Sequence, residues 1–257
     1  MQYNKTRIPL LFNLMMCLCL IFLIFITGCA SRGTQLDKYP MEHIDRPYTL
    51  PKGVHTWEIA TLSYIPIKSS QSNSSLVHPL IWRSALSDNV SLLFTPLPLG
   101  LSYQILHNDT HRLGTTVVYL FYSSSASISY QYRLGNNWAI RTGFDYFNRS
   151  DLDGNDEEKG TSVILGLLYQ AGSRLSLEPW VSKARIIEFQ NRYIFSNYGT
   201  DVEVTRYPYE SITYGLSALY TIGRQWDVTM NLSQNYIVEY DRKSSLHLSL
   251  RLIHYWD

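Results

Sequence analysis

Beyond residue 54 the chain alternates apolar and polar residues with a period of two, and no window offers a convincing amphipathic helix. In "SASISYQYRL", Ala126, Ile128, Tyr130, Tyr132 and Leu134 share one face; Ser127, Ser129, Gln131 and Arg133 share the other. "WAIRTGFDYF" follows, with Trp138, Ile140, Phe144 and Tyr146 opposite Arg141, Gly143 and Asp145. Ile212, Tyr214, Leu216, Ala218, Tyr220 and Ile222 form a further apolar row, and so do Leu246, Leu248, Leu250, Leu252 and Trp256. Side chains two apart lie on the same side of a strand, so these rows predict sheet surfaces.

A loose repeat marks the turns. Tyr132-Arg-Leu-Gly-Asn-Asn-Trp138 parallels Tyr220-Thr-Ile-Gly-Arg-Gln-Trp226, with Tyr169 to Leu175 a looser copy. Each places a glycine, free to take positive φ, between an aromatic strand end and a large apolar strand start. Candidate strands begin near Trp57, Val90, Leu113, Ala126, Trp138, Val163, Leu175, Ile212, Trp226 and Leu246. The reading is about ten strands, with 8–12 possible, and an even number returns both chain ends to one side. Asn148 to Gly160 and Asn197 to Tyr209 read as longer loops at the opposite end.

The polar face separates a membrane barrel from a soluble sandwich. A face turned to water collects lysine, yet Lys38, Lys52, Lys68, Lys159 and Lys243 fall outside the predicted strands and only Lys183 lies near one. The polar rows carry Ser, Thr, Gly, Asn and Gln, with Arg133, Arg141, Asp145, Glu178, Asp227 and Arg251 scattered among them. Those six charges are the candidate lumen network, expected to pair because unpaired buried charge is costly. Tyr and Trp cluster at strand ends, as interfacial girdles do. From Trp57 to Trp256 the pattern resembles the outer-membrane β-barrel class. That resemblance implies an all-β fold, an antiparallel up-and-down transmembrane β-barrel. The alternative is a soluble, β-sandwich-like binding lipoprotein.

The N-terminus supplies an address. Lys5 and Arg7 precede an apolar run from Ile8 to Ile26, and small residues follow, the layout of a secretory signal. Ile26-Thr27-Gly28-Cys29 resembles the lipobox of bacterial lipoproteins. The resemblance implies diacylglycerol on Cys29, cleavage between Gly28 and Cys29, and acylation of the new amino terminus. With Ala30 next, it also implies delivery to the cell outer membrane by the lipoprotein sorting machinery. The expected organisation is a signal peptide over 1–28, a lipidated polar tether over 29–53 and a barrel domain over 54–257. Pro40, Pro47 and Pro51 and the lack of apolar periodicity support the tether.

Charge and cysteine content narrow the function. Without Lys5 and Arg7, the 22 basic residues fall to 20 against 21 acids, a balance that gives no case for nucleic acid. Cys17 and Cys19 lie in the signal, so the lipid takes the one remaining cysteine and no disulfide forms within a mature monomer. His107 and His111 read as turn histidines without a third ligand, and Asp151, Asp153 and Asn155 as part of a solvated acidic loop. No nucleophile–base pair, phosphate loop or zinc helix is present, so no catalytic residue, metal or cofactor is assigned. The expected role is a non-enzymatic structural, surface-interaction or narrow transport protein whose partners are outer-membrane lipids and the outer-membrane assembly machinery. About ten strands disfavour a wide pore, since open porins need about 16–18.

Overall fold

The computed structural model describes residues 35–66, 75–77, 81–94, 99–120, 123–150, 156–196, 199–238 and 242–257. The signal, Gly28, Cys29, Ala30 and the acidic stretch 151–155 therefore lie outside the described residues. The strands are β1 (His55–Pro66), β2 (Ser75–Val77), β3 (Ile81–Ser87), β4 (Val90–Phe94), β5 (Leu99–His107), β6 (His111–Leu120) and β7 (Ser123–Arg133). They continue with β8 (Trp138–Ser150), β9 (Asp156–Gln170), β10 (Leu175–Ser196), β11 (Gly199–Ile222), β12 (Trp226–Ile237) and β13 (Arg242–Trp256). Each pairs antiparallel with its neighbour, and β13 pairs with β1 from His55↔Trp256 to Pro66↔Ser245. The sheet is closed. Closure removes both edges, which a sandwich would keep, so the sandwich alternative is excluded.

β2 and β3 sit beside successive stretches of the same flank of β1, Thr61–Ser63 and His55–Glu58 respectively, so the ring counts twelve strands. Twelve lies at the top of the expected 8–12; the strands that patterning passes over are β3 and β5, the latter just beyond the interruption by Pro96 and Pro98. Strands also absorb much of the expected long loops: β8 runs to Ser150, β9 starts at Asp156, and β11 starts at Gly199.

Short turns gather at one end, at residues 88–89, 108–110, 134–137, 171–174 and 223–225. Of the three turn glycines expected at positive φ, Gly223 takes it, at +62°. Gly135 and Gly172 do not, because their turns are a residue wider. Leu134 N–H bonds to the Trp138 carbonyl and Ala171 N–H to the Leu175 carbonyl, each at 2.8 Å.

The outer wall follows the apolar rows. Leu216 and Leu250 are 47% and 49% exposed on the outward faces of their strands. Aromatic pairs ring the short-turn end: Trp57 edge-on to Trp226 at 5.4 Å, Trp82 edge-on to Trp256 at 5.3 Å, and Trp138 against Tyr169 at 4.4 Å. Toward the other end the outward row of β10 changes from Val181 to Lys183, whose ammonium lies 2.8 Å from Glu210 of β11. That exposed ion pair marks where the apolar band stops, and the β10–β11 hairpin continues past it to Ser196 and Gly199. A strand of about 10 tilted residues crosses the hydrocarbon, which the stretch from Leu175 to Ala184 supplies.

Candidate functional site

The stretch whose composition predicts a tether does something else from Gln35 onward. It enters the short-turn end of the barrel and fills it. Two single-turn 3₁₀ segments, η1 (Leu36–Lys38) and η2 (His43–Asp45), are joined by extended chain, so most of its backbone groups have no partner within the segment. Buried backbone must be satisfied somewhere. The lumen wall supplies the partners. Gln170 Oε1 accepts from Ile44 N–H at 3.2 Å, Gln131 Nε2 donates to the Ile44 carbonyl at 2.8 Å, and Gln104 Oε1 accepts from Tyr48 N–H at 2.6 Å. Ser91 Oγ accepts from Leu50 N–H at 3.1 Å, and Asp257 Oδ2 accepts from Gln35 and Leu36 N–H at 3.2 and 3.1 Å.

Apolar contact fixes the depth. Ile44, fully buried, seats against Ala139 and Leu168, two apolar residues on inward rows that are otherwise mainly polar. Leu36, Tyr39, Leu50 and Val54 pack on Ala85 and Tyr255 across the mouth. Burying a side chain such as Ile44 contributes about 1.5–3 kcal/mol. The Tyr48 ring lies so close to β6 that a Cβ on Gly114 would come within 2.9 Å of it. Only glycine leaves that space.

The centre of the plug is ionic. Arg46 clamps Asp227 of β12 with both terminal nitrogens, Nη2 at 3.3 Å from Oδ1 and Nη1 on Oδ2. Thr221 and Tyr255 each donate a hydroxyl to the same carboxylate at 2.7 Å. Arg46 Nε donates to the Pro40 carbonyl at 2.9 Å, and the guanidinium lies over the rings of Tyr39 and Tyr255 at 5.2 and 5.7 Å. Asp227 is 1% exposed, so every one of these donors offsets desolvation.

His43 sits beside this clamp, with Nδ1 2.7 Å from Ser176 Oγ and Nε2 2.8 Å from Thr221 Oγ1. Thr221 gives its one proton to Asp227, so it accepts from His43, and Nε2 carries the imidazole hydrogen. Nδ1 then accepts from Ser176. Both ring nitrogens are satisfied in the neutral form. Burial, reinforced by the Arg46 charge and by Arg141 and opposed by Asp227, pushes the His43 pKa down to about 3 from 6.5. A depressed pKa makes docking strongest above about pH 6.5 and weaker as pH falls, with the contribution exhausted near pH 3. Acidification from pH 7 to 4 is therefore expected to loosen the plug and raise ion leakage through vesicles carrying the protein. His43→Gln, which cannot titrate, should flatten that dependence; an unchanged pH profile would separate His43 from the plug's docking.

The six sequence-predicted lumen charges all sit on inward rows, but one ion pair alone joins two of them. Arg141 Nη1 meets Glu178 at 3.0 Å. Asp227 pairs with Arg46 instead, Arg133 with Asp45, and Arg251 with Glu58 at 3.0 Å. Asp145 accepts from Ser162 Oγ at 3.3 Å. Asp45 also takes Arg112 Nη2 at 3.3 Å. Sequence reasoning misses His43, Asp45 and Arg46 because nothing local to "MEHIDRP" shows that inward side chains of the barrel wait for it. His111 Nδ1 bonds the Tyr130 hydroxyl at 2.7 Å, and no group of three or more metal-ligating side chains occurs among the described residues.

Above the plug the lumen keeps a cavity of about 440 Å³. Tyr39, Arg46 and Tyr48 form its floor, and Arg83, Arg141, Glu178 and Arg251 stand on its walls. Burial pushes the Tyr48 phenol up to about 12, so it stays a donor.

A closed antiparallel ring with an apolar outside, aromatic girdle and polar inside is the fold of the outer-membrane β-barrels. An outer-membrane channel from Pseudomonas putida F1 shares it, with a TM-score of 0.52 and 14% identity over 88% of this chain and 100% of that one. The toluene transporter TodX of Pseudomonas putida aligns at a TM-score of 0.43, with 10% identity over 88% of this chain and 93% of that one. No protein-family model and no curated protein matches the chain. In this class short turns face the periplasm.

Proposed function

We propose that the chain is a non-enzymatic, lipid-anchored outer-membrane barrel that serves as a narrow conduit for small polar solutes, closed from the periplasm by its own N-terminal segment. The observation that carries this reading is the plug. Residues 35–54 occupy the mouth through hydrogen bonds and an ion pair beside small apolar clusters, below a cavity of about 440 Å³. A scaffold would gain more from an apolar filling, because glutamine and ion-pair contacts contribute little net stability beyond offsetting their own desolvation. Planar bilayers containing the purified protein should show small, brief conductance steps. Large, stable channels like those of an open porin would overturn the reading, as would complete silence at every voltage.

The anchor belongs to the same proposal. A lipid on Cys29 places the chain six residues from Gln35, in the leaflet facing the periplasm, on the side where the plug enters. Several acyl chains anchor firmly, at about 0.8 kcal/mol per buried methylene. Cys29→Ser is expected to leave an unprocessed precursor, read as a mass increase and loss of incorporated palmitate. Normal maturation of Cys29→Ser would remove the lipid from the account.

A further inference from the structure

Four guanidiniums line the cavity above the plug, and three have carboxylates of their own. Arg46 is held by Asp227, Arg141 by Glu178 and Arg251 by Glu58. Arg83 is different. It projects into the same cavity, half-buried, with no hydrogen-bond or ion-pair partner among the described residues. Backbone register explains its placement: Thr56 of β1 pairs with Arg83 on one side and with Tyr255 on the other, and Arg251 lies four residues along β13 on the same inward row. Arg83 and Arg251 thus share one wall. Across the lumen, Arg141 offers its outer nitrogen beyond the bond from Nη1 to Glu178, and the protonated Tyr48 hydroxyl lines the floor. Ile253 and Leu219 supply apolar wall between these poles.

A cation standing in a confined lumen without a partner raises the local concentration of anions, and low-dielectric walls strengthen the attraction. The surplus is one charge. We infer that this cavity binds a small organic monoanion, its carboxylate on Arg83 with help from Arg251 and its apolar body along Ile253 and Leu219. A volume of about 440 Å³ admits such a molecule with water around it. The inference deepens the conduit reading and rests on it for its purpose, since a conduit needs a site that attracts its solute yet releases it. It does not rest on that reading for its test.

The test is calorimetric titration of the full lipidated protein in detergent with pentanoate, and with pentanamide as its uncharged counterpart. Saturable binding of pentanoate and none of pentanamide is expected. Arg83→Gln should weaken pentanoate about tenfold or more, the loss expected for a charge-assisted bond. Arg83→Lys, which keeps the charge, should fall between the two and shows that the barrel tolerates substitution there. Equal heats from the acid and the amide, or pentanoate binding by Arg83→Gln as tight as the original, would overturn the inference. Bilayer recordings separate the two proposals. A protein that binds pentanoate but never conducts loses the conduit and keeps the site; one that conducts without binding pentanoate keeps the conduit and loses the site.

Discussion

Replacing Asp227 by alanine is expected to release the plug and turn brief conductance steps into long, larger openings. The carboxylate accepts from Arg46, Thr221 and Tyr255, and Thr221 in turn accepts from His43. Removing it strands a guanidinium that is 11% exposed over two tyrosine rings. Breaking one side of such a buried pair costs about 3–5 kcal/mol. The barrel itself does not depend on that pair, because its ladder from β1 to β13 is continuous without the plug. The cost therefore falls on docking: a segment held by a few kcal/mol spends most of its time outside the mouth. Asp227→Asn should show a smaller effect, since its amide oxygen still accepts from Thr221. Conductance of Asp227→Ala indistinguishable from the original would mean that the clamp does not hold the gate.

Placing arginine at Leu216 is expected to cost about 2–4 kcal/mol of folding into lipid vesicles, and far less at Ser217. Leu216 lies near the centre of the outward row from Ile212 to Ile222, at mid-depth of the apolar band. Ser217, one residue on, faces the lumen, where its hydroxyl accepts from Trp180 Nε1 at 3.1 Å. An arginine there meets water and the carboxylate of Glu178, its paired residue on the neighbouring strand β10. The pair of variants reads out membrane exposure directly, because adjacent positions share depth and strand but not face. Equal costs at both sites would remove the lipid-facing wall from the account.

Those rows of alternating residues are the part of the molecule most open to reading from sequence. Leu216, Leu250 and Trp138 announce an outward face because lipid accepts any apolar side chain in any order. Arg141 and Glu178 announce the inward one. What was hidden is long-range. Ala139 and Leu168 look like lapses in a polar row until Ile44 fills the space between them. Gln104, Gln131 and Gln170 look like solvated lumen residues until the backbone of residues 44–48 needs their amides. No periodicity in "PMEHIDRPY" marks it as buried, since its partners come from strands up to 181 residues away. A segment without regular structure is legible as disordered or as a plug only through the cavity that receives it. The strand count came out at the top of the expected range because β3 and β5 carry no clear apolar row of their own, the prolines before β5 breaking the pattern.

The central claim is that residues 35–54 fold inside the barrel mouth, and cysteine accessibility tests it most directly. Ile44→Cys and Lys52→Cys, each in the otherwise intact full chain, would be exposed to a membrane-impermeant maleimide from the short-turn side. Ile44 is fully buried and Lys52 exposed at the lip of the mouth. Lys52→Cys should label quickly and Ile44→Cys slowly, by about a hundredfold for a docking energy near 3 kcal/mol, and adding Asp227→Ala should bring the two rates together. Equal labelling of both cysteines in the protein with Asp227 intact would contradict the account and return the segment to a free tether.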